Sequence, residues 1–243
     1  MKLFSFLRAI FVLFFTPLVT LLISIATIFC SAILRQPAAS VQVLAAWWAR
    51  SICVASGVAV QVEGKETLQT GHPYIFAANH QSQFDIFALQ GFLGVDFRWL
   101  AKKELFRVPI WGAAMRRAGY IPIDRSHGRK AIKSLDQAAK KIAKGTSVII
   151  FPEGTRSKDG KLQKFKSGAM LLAIKSGVPL VPVAITGTYD VLPKGRLLVR
   201  AGQVSIKVGQ PIDSKEYKSK DKNELALLLQ EAVADLIKAQ TIT

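Results

Sequence analysis

The stretch that decides the fold is residues 74–85, Tyr-Ile-Phe-Ala-Ala-Asn-His-Gln-Ser-Gln-Phe-Asp. It opens on an apolar run, Tyr74 to Ala78, of a length suited to a buried strand, and then turns polar from Asn79 to Gln83. His80 and Asp85 stand five positions apart. On one straight helix that spacing is a rotation of roughly 140°, so the two side chains would not share a face. With His80 in the turn that ends the strand, and Asp85 in the first turn or two of a following helix, the carboxylate folds back onto the ring. The spacing therefore predicts strand, turn, helix. A carboxylate on Nδ1 would fix the imidazole tautomer and leave Nε2 free to take a proton from a substrate hydroxyl.

A second polar stretch, Phe151-Pro152-Glu153-Gly154-Thr155-Arg156-Ser157, also follows a strand-like run, Ser147 to Ile150. In an open α/β sheet ligands bind outside the carboxyl ends of the strands, so two such loops can face one crevice. Gly154 permits close backbone approach, Thr155 adds a hydroxyl, and Arg156 offers a planar fork suited to phosphate. A third stretch, Gly119-Tyr120-Ile121-Pro122-Ile123-Asp124-Arg125, again ends an apolar strand on an arginine. Lys102 and Lys103 follow the strand-like Phe97 to Ala101; they would stabilise an oxyanion, hold a donor phosphate, or form an exposed basic turn. Backbone amides near Gly119 or in the His80 turn are equal contenders for the oxyanion.

These blocks, with Val178-Pro179-Leu180-Val181-Pro182-Val183 as a fourth, stand in the order found in the glycerophospholipid acyltransferases. The chain resembles that family across residues 74–185, and most of all its 1-acylglycerol-3-phosphate O-acyltransferase members. The resemblance implies acyl transfer from a thioester to the 2-hydroxyl of 1-acylglycerol 3-phosphate, giving phosphatidate. It implies His80 as general base, Asp85 as its partner, and Arg125, Glu153, Gly154 and Arg156 as the residues that shape the acceptor-phosphate site. Acyl-CoA or acyl carrier protein would serve as co-substrate, with no separate cofactor. Glycerol 3-phosphate, another lysophospholipid or an aminolipid is the rival acceptor, and a non-catalytic protein binding anionic lipid at a membrane surface is the rival from another class.

Strand patterns fall near 58–62, 74–78, 97–101, 119–123, 147–151, 181–185 and 204–208, with helical patterns between several of them. Arg129 to Lys144 places Ala131, Ile132, Leu135, Ala138, Ala139 and Ile142 on one face, and Asp221 to Ala239 is a second amphipathic helix, capped by Ser219 or Asp221. The alternation predicts an α/β fold, a layered mixed sheet flanked by helices over residues 58–243, preceded by an apolar helical hairpin over residues 1–57. Pro179 and Pro182 suggest an edge or bend in their strand. Ser82 and Gln83 either contact substrate or only start the helix.

From Ala9 to Leu34 there is no charged residue, a run of about 26 positions, or ~39 Å as helix against a ~30 Å hydrocarbon layer. A second apolar stretch, Ala38 to Val60, carries Arg50 near its middle, where a charge makes a simple span expensive by roughly 2.5 to 3.5 kcal/mol. The expected arrangement is a first arm deep in the bilayer and a second near the head groups or against the globular domain, with Trp47 and Trp48 interfacial. Net charge is +17, and beyond Val62 the chain holds 29 basic against 16 acidic residues. Such a domain suits an anionic membrane and anionic substrates; no finger, RNP-like strand or basic reading helix points to nucleic acid. Cys30 and Cys53 lie in the apolar region and make no disulfide framework, which places the site on a reducing, cytosolic face of a membrane of the bacterial inner type. No Gly-x-Ser-x-Gly elbow occurs, neither cysteine neighbours a histidine, and no Cys/His cluster has ligand spacing, so direct attack without acyl-enzyme or metal is the expected chemistry.

Overall fold

Seven strands join in one mixed sheet in the computed structural model, which describes residues 3–124 and 128–241. They are β1 (Val58–Glu63), β2 (Ile75–Ala78), β3 (Arg98–Lys102), β4 (Ile121–Ile123), β5 (Val148–Ile150), β6 (Leu180–Thr186) and β7 (Gly202–Val208), in the spatial order β1-β7-β6-β2-β5-β3-β4. Strands β2 to β6 run parallel; β7 is antiparallel to β6, and β1 follows β7 in parallel. The helices are α1 (Leu3–Ala32), α2 (Ala38–Ser56), α3 (Phe84–Phe92), α4 (Trp111–Arg117), α5 (Arg129–Ala143), α6 (Ser167–Ser176), α7 (Thr188–Val191) and α8 (Lys222–Thr241).

The period-two pattern of β2 divides the core. Phe76 and Ala78 face a cluster that includes Ala9, Ile52, Phe84 and Leu89, whereas Ile75 and Ala77 face Ile142, Met170, Leu172 and Leu229. Helices therefore cover both faces, which a parallel sheet requires because its strands are apolar on both sides. On α5 only the later part of the apolar stripe reaches the sheet: Ala138, Ala139 and Ile142 are buried, but Ile132 is exposed. Before α8 the Oδ2 of Asp221 accepts the Lys218 amide at 2.9 Å, closing the turn Ser219–Asp221 that leads into the helix.

Pro182 stands inside the sheet and not at its edge. It occupies an inner strand opposite Ala77 of β2. Its carbonyl, which accepts the Gly209 amide at 2.8 Å, points toward β7, so the missing N–H points the same way. Pro182 faces Gly209 one pair beyond the β6–β7 ladder, which runs from Val183 to Thr186; it accepts there but cannot donate back, so the missing N–H falls where the ladder ends.

The hairpin is anchored to the domain by polar contacts. Arg8 near the start of α1 lies against Gly57 just past α2, so the two helices run antiparallel. The tryptophan pair divides: Trp47 is exposed, while Trp48 turns inward, its Nε1 donating to Thr20 Oγ1 at 2.9 Å and its ring set edge-on to Phe87. Arg50 explains its own place in an apolar helix. Its Nε donates to the Gly91 carbonyl at 2.6 Å, and its guanidinium lies 5.8 Å over the Phe92 ring, a cation at the carboxyl end of α3. α1 and α2 are long and apolar enough to cross a membrane by length and composition.

Buried Gln90 ties α3 to its neighbours. Its Oε1 accepts from Trp99 Nε1 at 2.7 Å and Tyr120 Oη at 3.2 Å, and its Nε2 donates to Gln42 Oε1 at 3.4 Å. Gln42 in turn donates to the Ala118 carbonyl at 2.9 Å. Replacing Gln90 by Leu orphans the buried indole N–H, while the phenol keeps its hydrogen bond to Gln42, and is expected to cost about 1–3 kcal/mol. Denaturant unfolding of the protein in detergent measures this; an unchanged midpoint would show that the network carries no stability.

Candidate active site

Strands β2 and β5 are parallel neighbours whose chains leave the sheet toward opposite faces, β2 into α3 and β5 toward α6. Departure in opposite directions opens a crevice between their carboxyl ends. His80 and Glu153 stand on the two loops that border it.

The turn after β2 is set by Asn79, whose buried amide copies a peptide group. Its Nδ2 donates to the Ile185 carbonyl at 2.9 Å and its Oδ1 accepts the Ile185 amide at 2.7 Å, which extends the β2–β6 ladder by one side chain. Beyond it, Asp85 in the first turn of α3 points back beneath the loop, as the spacing predicts. Its Oδ2 lies 2.7 Å from His80 Nδ1 and accepts the amides of Gln81 at 2.7 Å and Ser82 at 2.9 Å. Its Oδ1 accepts the hydroxyl of Thr188. Four donors thus meet a carboxylate with no solvent exposure, filling its lone-pair positions. Because a carboxylate only accepts, Nδ1 carries the ring proton and Nε2 presents a lone pair. The His80 side chain keeps 14% exposure, while Asp85 has none.

Phe151 forms the floor of the site. Its ring stacks on the imidazole with centroids 3.8 Å apart and planes 9° apart, and Trp99 continues the stack at 5.8 Å. Two further bonds join the β5 loop to the His80 turn: the His80 amide donates to Glu153 Oε1 at 2.9 Å, and the Ser157 amide to the His80 carbonyl at 2.8 Å. Glu153 is buried, and its other oxygen accepts Gln163 Nε2 at 2.6 Å. Its carboxyl therefore faces the backbone that carries His80. Gly154 turns outward at a φ of +77°, where a Cβ would stand 2.9 Å from Lys166 Nζ. Exposed Thr155 receives Lys194 Nζ on its Oγ1 at 3.3 Å, and the same ammonium donates to the Arg156 carbonyl at 2.9 Å.

Lys102 and Lys103 reach the same sheet edge at the end of β3, but both meet acids: Lys103 Nζ lies 2.6 Å from Asp124 and Lys102 Nζ 3.8 Å from Glu104. Arg125 lies outside the described residues. The amide near Gly119 is at the wrong edge for an oxyanion, since Gly119 precedes β4 and His80 follows the parallel β2; its N–H is taken by Arg116. The amides of His80, Gln81 and Ser82 are all engaged by carboxylates. Ser82 helps start the helix, its Oγ accepting the Phe84 amide at 3.1 Å and donating to the Leu192 carbonyl at 2.7 Å. Thr188 and the roles of Asn79 and Phe151 were not legible in the sequence; Thr188 follows Asp85 by 103 positions with no local pattern linking them.

Burial pushes the Glu153 carboxyl up to about 7, against the opposing pull of the His80 and Gln163 N–H groups and with help from the nearby Asp85 charge. Unfolded, the same group ionises near 4.5. Between these limits the native state holds a proton that the unfolded chain has lost, so stability declines as pH rises from 4.5 to 7, by a total on the order of 3 kcal/mol. Glu153→Gln is expected to remove that slope from unfolding midpoints measured between pH 4.5 and 8. A slope that survives the substitution would assign it to other groups.

A family model described as Acyltransferase matches residues 59–186. Over 171 residues the chain is 38% identical to a chloroplastic 1-acyl-sn-glycerol-3-phosphate acyltransferase of Arabidopsis thaliana, covering 70% of this chain and 48% of that protein. It is 32% identical over the same length to the alpha 1-acyl-sn-glycerol-3-phosphate acyltransferase of Ovis aries, covering 70% and 60%. The chain thus spans about half the length of the curated relatives it matches. The crystal structure of the 1-acyl-sn-glycerophosphate acyltransferase of Thermotoga maritima superposes with a TM-score of 0.84 at 29% identity, over 100% of this chain and 99% of that one. With its mixed sheet and its histidine and aspartate paired in one crevice, the chain belongs to the acyltransferase family.

Proposed function

We propose that the protein transfers a fatty acyl group from a thioester to the 2-hydroxyl of 1-acylglycerol 3-phosphate, giving phosphatidate. The observation that carries this reading is the 2.7 Å bond between His80 Nδ1 and a fully buried Asp85, which leaves Nε2 as the ring nitrogen with a lone pair to offer. The printed names of the relatives support the choice of acceptor.

In this mechanism the acceptor O–H hydrogen-bonds to Nε2. As its oxygen bonds to the thioester carbonyl carbon, the proton moves to Nε2 and the carbonyl becomes an oxyanion. Asp85 stabilises the imidazolium that forms. The tetrahedral species collapses with cleavage of the carbon–sulfur bond, and the proton passes from Nε2 to the leaving thiolate. With the nearby turn amides engaged by carboxylates, the oxyanion falls to a side chain, and Lys102, more loosely paired than Lys103, is the candidate at this edge. Arg156, and by family resemblance Arg125, hold the acceptor phosphate.

The hairpin sets this chemistry at a membrane. Phe4, Phe11, Phe14, Leu18, Leu22 and Phe29 of α1 are exposed, an apolar face suited to acyl chains. With Cys30 and Cys53 both free thiols, we place the site at the cytosolic face of a membrane of the bacterial inner type.

His80→Ala is expected to lower transfer about 10²- to 10⁴-fold, the usual worth of a general base. Asp85→Asn presents an amide N–H to Nδ1 or loses the bond, and should fall in the same range. Thiol release from acyl-CoA and from acyl-acyl carrier protein, with the lysophospholipid as acceptor, measures both variants and identifies the donor. Turnover retained by the His80 variant would end the mechanism.

A further inference from the structure

The positive charges around the site are unevenly paired. Lys102 and Lys103 have acidic partners, whereas no acidic side chain lies within ion-pair distance of Arg156, Lys166 or Lys194 among the described residues. The acids near these three are engaged elsewhere. Glu153 turns inward to the His80 amide and Gln163, and Asp159 accepts from Ser157 Oγ at 2.9 Å and the Lys161 amide at 3.1 Å.

Two of the three cations come from outside the β5 turn and close upon it. Lys166 stands at the start of α6, held where its amide donates to the Pro152 carbonyl at 2.9 Å, and its side chain lies across the left-handed Gly154. Lys194 belongs to the loop after α7, beyond the residues matched by the family model, yet reaches back to Thr155 and Arg156. That loop is tied to the catalytic pair, since α7 carries Thr188 and the Leu192 carbonyl accepts Ser82 Oγ. An ammonium has three donors, and the two named contacts of Lys194 leave one for a ligand. Thr155 and Arg156 stand just before Ser157, whose amide bonds the His80 carbonyl.

Lys166 and Lys194 both close on the turn that carries Arg156 without an acid between them, and an anion with several acceptor oxygens would meet both ammonium groups there. We propose that Lys166 and Lys194 are direct ligands of the acceptor's phosphate monoester, completing with Arg156 a three-cation cradle over Gly154 and Thr155. A monoester has three terminal oxygens and a charge near −2, enough to meet all three groups. A neutral acylglycerol or a glycerol ester without phosphate leaves the cations unmet, so the cradle determines acceptor specificity. The inference rests on the proposed acceptor, and its test is made independent of turnover.

The test is equilibrium binding of 1-acylglycerol 3-phosphate and of the matching 1-acylglycerol to the full chain in detergent micelles, by calorimetric titration. Lys194→Gln and Lys166→Gln are each expected to weaken binding of the phosphate-bearing lipid about tenfold, the loss of one charge-assisted bond. Affinity for the phosphate-free lipid should move less than threefold. Lys194→Arg, which keeps the charge, should retain binding within about threefold; Gln keeps a donor for the Arg156 carbonyl, so a purely structural tether predicts that Gln serves as well as Arg. Equal affinity of wild type and Lys194→Gln for the phosphate-bearing lipid overturns the cradle, and so does a loss shared equally by both lipids. Wild type that binds the phosphate-bearing lipid selectively but releases no thiol would overturn the proposed reaction while leaving the cradle standing.

Discussion

A carboxylate sealed from water is tolerable only when its lone pairs are met, and Asp85 meets them with groups from two distant parts of the chain. Three donors come from the turn after β2, so that turn must curl tightly with two successive amides aimed inward. The fourth comes from Thr188, so α7 must begin directly after β6. That start depends on Gly187, at a φ of +85°, where a Cβ would fall 2.1 Å from the Gln203 carbonyl oxygen. Asn79 bonds both peptide groups of Ile185 and so fixes the distance between the two donors' strands. Satisfying one buried charge therefore orients the imidazole as a by-product of folding.

Much of this was legible in the chain because buried parallel strands are apolar on both faces and appear as short continuous runs. Tyr74 to Ala78, Ser147 to Phe151 and Val181 to Ile185 are such runs, and each forms a strand within a residue or two of its expected bounds. The His80–Asp85 bond was legible for a related reason: it is local, and a helix start after a strand leaves one way to close it. Contacts between sequence-distant residues were not. Thr188 carries no mark of its bond to Asp85, and Phe151 reads as the end of a strand until its ring is found beneath His80. Gly119 misled for a directional reason. Gly119 precedes β4 and Asp124 follows it, so the two lie at opposite ends of that strand, and Gly119 is at the end away from the turn after β2. Pro182 misled because a missing N–H argues against an inner strand only where the neighbouring ladder continues, and here the β6–β7 ladder ends at the proline, which still accepts the Gly209 amide.

The hairpin shows how a charge inside an apolar helix changes meaning once a partner is known. Arg50 in isolation argues against burial in lipid, whereas against the last turn of α3 it is a helix cap. Together with Gln42 and Gln90 it fastens α2 to the helix whose first turn holds Asp85. The apolar face left over belongs to α1, which packs on α2 through few polar contacts and presents its phenylalanines outward. The hairpin is thus joined to α3 at one end by Arg50, with Asp85 at the other end of the same helix.

The electrostatics divide along the same line. Acids near the crevice turn inward, Asp85 to the imidazole and Glu153 to the His80 amide, and each is buried. Cations on the β5 loop and its neighbours turn outward and lack acids among the described residues. This separation places the Asp85 carboxylate against the ring nitrogen and leaves the cations of the β5 loop and its neighbours without acids beside them. Had the acids been at the rim, they would have neutralised the lysines and repelled the phosphate; had the cations been beneath the ring, they would have opposed its protonation. Asp85 comes from the first turn of α3 and Glu153 from the β5 loop, whereas two of the cations, Lys166 and Lys194, arrive from α6 and from the loop after α7.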